Sequence, residues 1–258
     1  MTTRRKLYIS SYGPEERPVK IGFFWLLDTA VREGRERAYL AVPTLQNLDG
    51  VIATSLDKDL VKRLKRDKSI PISYEGASLT LGLLTDRIDS HSLHQGPALV
   101  FYPNARLLEK IDDCYEVTHV LVVPWLMKDI EEWIQTWNAK ELGKVDSQPS
   151  EPVFSDPVVE QALKSLTRQV NLSTGLGHPS DRDSAIWLFR KLKRANIRYS
   201  PIEIKGWLVR HGWRTEYAND VKEVAEKIQN GKRLRTRSRG EKWVKHIVKI
   251  WREEASKR

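Results

Sequence analysis

The chain has 258 residues, with 44 Lys and Arg against 34 Asp and Glu, a formal net charge of +10. That length allows one large domain or two small ones with ample core, and 40% hydrophobic with 30% charged residues is ordinary for a globular protein. A single cysteine, Cys114, excludes an intramolecular disulfide and a cysteine-based zinc site, and the longest apolar run, Ile21–Leu27, is too short to cross a bilayer.

Taken in order, Lys6–Ser11 reads as a first strand ending in the turn Tyr12-Gly13-Pro14. Pro18–Arg32 reads as a helix, with Ile21, Phe24, Trp25, Ala30 and Val31 near one face and Gly34 as its stop. Ala38–Val42 is a second strand closed by Pro43. The short apolar run Val51–Ala53 is ambiguous, and Ser55 then caps a polar helix with Leu60, Val61 and Leu64 inward. Leu79–Leu84 makes another strand. Ala98–Tyr102 and Val117–Val123 are continuous apolar runs, the pattern of strands buried on both faces. Asn104 caps a helix after the former, and Met127–Leu142 reads as a helix after the latter.

Strand–helix alternation with apolar strands predicts an α/β fold, a Rossmann-like and mostly parallel sheet with helices on both faces, over residues 1–143. The Pro- and Ser-containing stretch that follows reads as a linker, 144–178, carrying one helix from Pro157 to about Val170. Residues 179–258 then form a basic helical domain. Ser180 with Asp183 suggests a capping box for its first helix, along which Ala185, Leu188, Phe189 and Leu192 recur at helical spacing. Ser200-Pro201-Ile202-Glu203 opens a second helix that stops at Gly212, and Thr215 can cap a third that stops at Gly231. Trp243, Val244, Ile247, Val248 and Trp251 outline a fourth. The second and third helices, with a short Gly-containing turn, are helix-turn-helix-like. The candidate recognition helix, however, carries Glu216, Asp220, Glu223 and Glu226 against Lys222 and Lys227, poor company for phosphates.

The charge is segregated. From Phe189 to Arg258, 21 Lys and Arg stand against 8 Asp and Glu, whereas residues 1–188 hold 23 against 26. A cationic excess confined to one third of a chain points to a polyanionic partner, most often nucleic acid. The candidate phosphate contacts are Arg190, Lys191, Lys193 and Arg194 on the first helix, the arm residues Lys232, Arg233, Arg235, Arg237 and Arg239, and Lys242 and Lys245 beyond them. In an extended arm the alternating arginines fall on one side. The expected partner is nucleic acid, DNA ahead of RNA, with a protein partner also possible through the α/β domain.

Open parallel sheets place ligands at the carboxyl ends of their strands. Ser11, Tyr12, Thr44, Asp86, Asn104 and Trp125 fall there and form a candidate ligand or partner crevice, whose aromatic and proline content suits a base or nucleotide. No Gly-x-Gly-x-x-Gly follows the first strand and no phosphate-binding Gly-x-x-x-x-Gly-Lys-Ser/Thr occurs, so no dinucleotide or other cofactor is expected. Asp86, Asp89, His91 and His94 crowd one polar loop and are the weak candidates for a metal-dependent catalytic site. No metal is assigned to them. His119 and His211 sit in apolar contexts and read as core or boundary residues. The first expectation is therefore a binding protein. The alternative is a metal-dependent nuclease or nucleotide-processing enzyme whose basic tail delivers substrate. Nothing at Met1–Ser10 reads as a signal peptide, so cytoplasm is the expected compartment.

Overall fold

The computed structural model describes residues 5–87, 93–144, 154–237 and 243–257. It divides into two compact units, one of residues 1–134 and 138–147, the other of residues 135–137 and 148–258.

The first unit is α/β. Its sheet has seven strands, β1 (Lys6–Tyr8), β2 (Arg37–Ala41), β3 (Ser69–Tyr74), β4 (Ala77–Leu84), β5 (Gly96–Phe101), β6 (Val117–Val123) and β7 (Lys140–Glu141), in the order β3-β4-β2-β5-β6-β1-β7. Every pairing is parallel except that of β3 with β4. Leu99, Phe101, Leu121 and Val123 face the cluster built by helix α1 (Glu16–Arg32), while the alternate residues Ala98, Val100, Val120 and Val122 are equally buried. Both faces of the central strands are thus covered, which is why their sequences carry no alternation. On α1, Gly22 lies against the sheet, and a Cβ there would fall 2.9 Å from a Leu99 methyl.

The opposite face carries a buried ion pair. Lys6 of β1 meets Asp112 on helix α4 (Ala105–Asp113), with side chains 3% and 2% exposed, and Trp133 donates its indole N–H to the second Asp112 oxygen at 3.0 Å. Such a pair is tolerated in a core because the acid's oxygens are both partnered.

Three local departures from the sequence reading have physical causes. The short apolar run at 51 is a helix, α2 (Val51–Leu56), and the next helix, α3 (Lys58–Asp67), is capped by Asp57 rather than Ser55. One Asp57 oxygen accepts from the amides of Asp59 and Leu60 at 2.7 and 3.0 Å. Strand β3 pairs with β4 through the two-residue turn Glu75-Gly76, both at positive φ, as a tight hairpin requires. Its Pro71 is tolerated because β3 is an edge. Finally, the helix read over 127–142 is the short α5 (Glu131–Trp137). Asn138 in the left-handed region ends it, and β7 follows, adding a strand beside β1.

The second unit is helical: α6 (Pro157–Gln169), α7 (Pro179–Arg194), α8 (Pro201–Arg210), α9 (Thr215–Gln229) and α10 (Ile247–Ala255). Short amphipathic helices such as these hold their shape only by sharing a core. Here that core includes Val159, Leu163, Leu166, Leu188, Phe189, Leu208, Val221 and Trp251. Helix α6, read from sequence as a linker element, thus supplies one wall of this core. Its Asp156 cap and Pro157 at the first position set its start. Helix α7 is capped by His178, whose Nδ1 accepts from the Ser180 amide at 3.3 Å, in place of the Ser180–Asp183 box. Ser200 caps α8 as read, whereas Thr215 is already the first residue of α9. Among the described residues, no helix is long and apolar enough to cross a membrane.

Candidate functional site

In the helical unit the residues after α9 run beside α7 as an extended arm. Arg233, Arg235 and Arg237 are exposed, while Leu234 and Thr236 between them are half-buried, Leu234 against the helical core. This two-residue alternation is what an extended segment produces, and it sets neighbouring arginines about 6.5 Å apart along the arm. The arm's backbone is held by α7. Arg190 donates to the Leu234 carbonyl, Arg182 donates to that of Arg235 at 3.4 Å, and the amide of Arg237 donates to both oxygens of Asp183 at 3.2 and 3.1 Å. Asp183 is 2% exposed, so the arm's far end is held by a buried acceptor. Trp243, past the arm, donates its indole N–H to the carbonyl of Ser184 at 2.9 Å and packs edge-on to Trp251.

The cations read from sequence as one phosphate-binding set therefore separate into two groups. Lys191 is buried and reaches the Lys245 carbonyl at 3.4 Å, and Lys193 donates to the carbonyls of Ile228 and Gln229 at 2.7 and 3.2 Å, at the C-terminal end of α9. Arg190 also lies 4.8 Å over the Trp187 ring. These three hold the unit together by satisfying carbonyls that a helix end or an unpaired strand leaves open. Arg194, Lys232 and Lys245 are exposed at the surface. The side chains of Arg233, Arg235 and Arg237 make no hydrogen bond or ion pair among the described residues. Arg239 and Lys242 lie outside the described residues. Sequence reasoning missed Arg182 and Asp183, the residues that fix the arm's far end.

Helix α9 carries a contrary charge. Lys227 pairs with Glu223 at 2.7 Å, Lys222 approaches Glu226 at 3.9 Å, and burial, then the neighbouring Glu223 and Glu216, pushes the Asp220 carboxyl above its usual range.

In the α/β unit the sequence-predicted crevice residues do gather at one edge, because all strands but β3 run the same way. The chain leaves β2 toward β4 and leaves β5 toward β6, so the connections diverge between β2 and β5. A cleft of about 730 Å³ opens at the ends of β2 and β4, lined by Thr44, Lys68, Thr85, Asp86, Arg87 and Arg106 among others. Asn104, the cap of α4, accepts from the Leu107 amide at 2.8 Å and donates to one Asp86 oxygen at 3.1 Å. The Lys110 ammonium donates to the Asp86 carbonyl. The other Asp86 oxygen is buried without a hydrogen-bond partner among the described residues. Thr44 donates its hydroxyl to Asn47 at 2.8 Å.

Beside this cleft the ends of β5, β6 and β1 are aromatic. Tyr102, at φ 47°, turns its ring onto Trp125, centroids 5.0 Å apart and edge to face. Trp125 is 43% and Tyr12 71% exposed. Ser11 is buried, with its hydroxyl 3.4 Å from the Gly13 carbonyl, and the Gly13 amide donates to the Trp125 carbonyl at 2.7 Å.

Of the catalytic candidates, Asp89 and His91 lie outside the described residues. His94 is exposed and meets the Tyr39 hydroxyl through its backbone, the amide at 2.9 Å and the carbonyl at 2.7 Å. Among the described residues no three His, Cys, Asp or Glu side chains gather as metal ligands. His119 is buried with Nδ1 3.2 Å from a Glu33 oxygen, and His211 stacks on Trp207 at 3.7 Å.

A family model described as a domain of unknown function, DUF1889, matches residues 155–252. That span starts at the head of α6 and runs into α10, so the matched segment follows the helical unit, including the helix that the sequence reading assigned to a linker. No curated protein and no solved structure matches the chain.

Proposed function

We propose that the protein binds nucleic acid, DNA ahead of RNA, through the arm at 232–237 and the exposed cations near it, and that the α/β unit serves as a platform for a ligand or partner. The observation that carries this reading is the row of three exposed guanidinium groups, Arg233, Arg235 and Arg237, on a backbone held by α7 and without partners among the described residues. Guanidinium groups so close repel one another, and a polyanion relieves that repulsion while gaining charge-assisted hydrogen bonds. Anchoring the backbone beforehand lowers the entropy that binding must remove.

In this reading the α/β unit is Rossmann-like, and α8 with α9 forms a helix-turn-helix-like pair used as scaffold. Carboxylates Glu216, Asp220, Glu223 and Glu226 along α9 disfavour its entry into a groove, so the arm makes the approach. Interactions of this kind go to phosphates and read little sequence.

The test is a fluorescence-anisotropy titration of the full chain and of Arg233→Ala/Arg235→Ala/Arg237→Ala. The probes are labelled duplex DNA, single-stranded DNA and RNA at about 50 and about 200 mM salt. The parent should bind duplex DNA with a steep salt dependence. The triple variant should bind every probe more weakly, with the slope of log affinity against log salt smaller by about 3, one for each phosphate left unneutralised. Equal affinity and slope in parent and variant would show the arm to be only a solvated connection.

A further inference from the structure

We infer that the strand-end crevice of the α/β unit is a binding site for a nucleoside phosphate, an inference that deepens the reading of this unit as a ligand platform. Three independent features of one sheet edge meet there. The first is charge: Lys68, Arg87 and Arg106 line the cleft against a single acid, Asp86, in a unit whose sequence is otherwise slightly acidic. Arg87 and Arg106 are exposed, and neither side chain has a partner among the described residues. Arg106 also stands in the first turn of α4, whose N-terminal end adds a favourable field for an anion. The second is an unmet acceptor. Asn104 holds one oxygen of Asp86, and the other is buried without a donor among the described residues, an arrangement that costs free energy. A site for an inorganic anion alone has no use for a carboxylate, whereas a sugar hydroxyl satisfies it while the phosphate meets the arginines.

The third feature is the aromatic end. Tyr102 is non-glycine backbone in the left-handed region, an arrangement that costs free energy and is kept where the surroundings enforce it. Its effect is to seat the ring against Trp125, leaving Trp125 partly exposed beside the solvent-facing Tyr12. An exposed ring at a strand end offers a stacking face for a base. Arg87 follows β4, Arg106 follows β5 and Trp125 follows β6, so the arginines stand one to three strand spacings from the ring, about 5 to 14 Å. Arginines, a carboxylate and an exposed tryptophan along one line of strand ends match the anion, the hydroxyls and the flat ring of a nucleoside phosphate. The cleft of about 730 Å³ has room for the phosphate and sugar, and Trp125 stands at a neighbouring strand end outside its lining. Its place, where connections diverge at the carboxyl ends of parallel strands, is where open sheets bind ligands.

The experiment uses the full chain already carrying Arg233→Ala/Arg235→Ala/Arg237→Ala, so that the three arm guanidinium groups of the nucleic-acid reading contribute no anion binding. Isothermal titration with ATP, AMP and inorganic pyrophosphate gives three affinities. ATP and AMP should bind. Arg87→Ala/Arg106→Ala should weaken ATP by roughly tenfold or more, since each substitution removes a charge-assisted hydrogen-bond donor. Trp125→Ala should weaken both nucleotides by roughly fivefold or more and leave pyrophosphate unchanged. Trp125→Phe, which keeps a ring, should restore most of that loss and guards against a variant that fails to fold. Absence of nucleotide binding, or binding indifferent to the arginine pair, overturns the site. Pyrophosphate binding as tightly as ATP, with Trp125→Ala affecting both alike, overturns the nucleoside part.

Discussion

Lys6 in the α/β unit and Lys193 in the helical unit are both cations that a sequence presents as surface. Lys6 is buried against Asp112 beneath the sheet, where each charge makes the other tolerable. Lys193 lies along α7 and donates to the last carbonyls of α9, where it neutralises the negative end of a helix. In the first unit one charged pair is hidden beneath the sheet, while Arg87 and Arg106 at the open strand ends face solvent. In the helical unit, cations are numerous enough to serve both purposes: Arg190, Lys191 and Lys193 fasten the arm and helix ends, and Arg233, Arg235 and Arg237 are left facing solvent. A cationic excess by itself therefore overstates the surface available to a polyanion, and the hydrogen-bond partner of each cation decides which residues to count.

The largest effect that can test this contrast is at the hidden pair. Lys6→Met keeps the apolar stem but leaves Asp112 charged and buried, and it should cost about 3 to 5 kcal/mol in chemical denaturation. The double change Lys6→Met/Asp112→Asn should recover part of that loss, because a neutral amide needs no counter-charge and its oxygen can still accept from Trp133. A loss under about 1 kcal/mol for Lys6→Met would mean that Asp112 is neutral or solvated, and the pair would not be what holds that face.

The parallel strands were legible because both faces of β5 and β6 are apolar without interruption. The Asn104 cap, the Ser200 cap and the Gly231 stop were legible because each is a local device needing no distant partner. Strand β3 was missed because its alternation of Ile70, Ile72 and Tyr74 is interrupted by Pro71, which an edge strand accepts. Strand β7 is two residues whose identity as a strand depends wholly on pairing with β1. The candidate crevice was legible as strand ends, since chain direction brings them to one edge. What the sequence could not say is that one Asp86 oxygen has no partner among the described residues or that Tyr102 takes a left-handed turn. Likewise, the alternation of the arm is visible in the sequence, but the fastening of Arg190 and Lys193 depends on where two other segments end.

A middle-sized effect addresses the fastening directly. Asp183→Ala removes the buried acceptor of the Arg237 amide and should cost about 2 kcal/mol, the loss of a charged acceptor less what the amide regains from water. It should also weaken nucleic-acid binding without changing any cation, because the arginines would no longer be presented on a fixed backbone. Hydrogen exchange should show the amide of residue 237 opening faster than in the parent. If affinity stayed at the parent's value while that amide opened, pre-organisation of the arm would have no part in binding.

The smallest effect compares one tyrosine from each unit. Burial pushes both phenols up to about 12, Tyr102 with a further contribution from Glu15 and Tyr199 by burial alone. Their hydroxyls differ: that of Tyr199 donates to the Ala225 carbonyl at 3.2 Å, whereas that of Tyr102 is buried without a partner among the described residues. Tyr199→Phe should therefore cost about 1 kcal/mol, and Tyr102→Phe should be neutral or stabilise slightly, since it removes a polar group that folding leaves unsatisfied. The pH dependence has the same sign in both. A phenol whose folded value lies above its unfolded value of about 10 contributes stability fully below that pH, and loses it as pH rises from about 10 to about 12. Either Phe variant should accordingly flatten the fall in stability above about pH 10, a result read from urea midpoints at about pH 7 and about pH 11. Equal costs for the two substitutions at neutral pH would mean that the Tyr102 hydroxyl does find a donor or acceptor in solution. The crevice would then hold an ordered polar contact at its aromatic end.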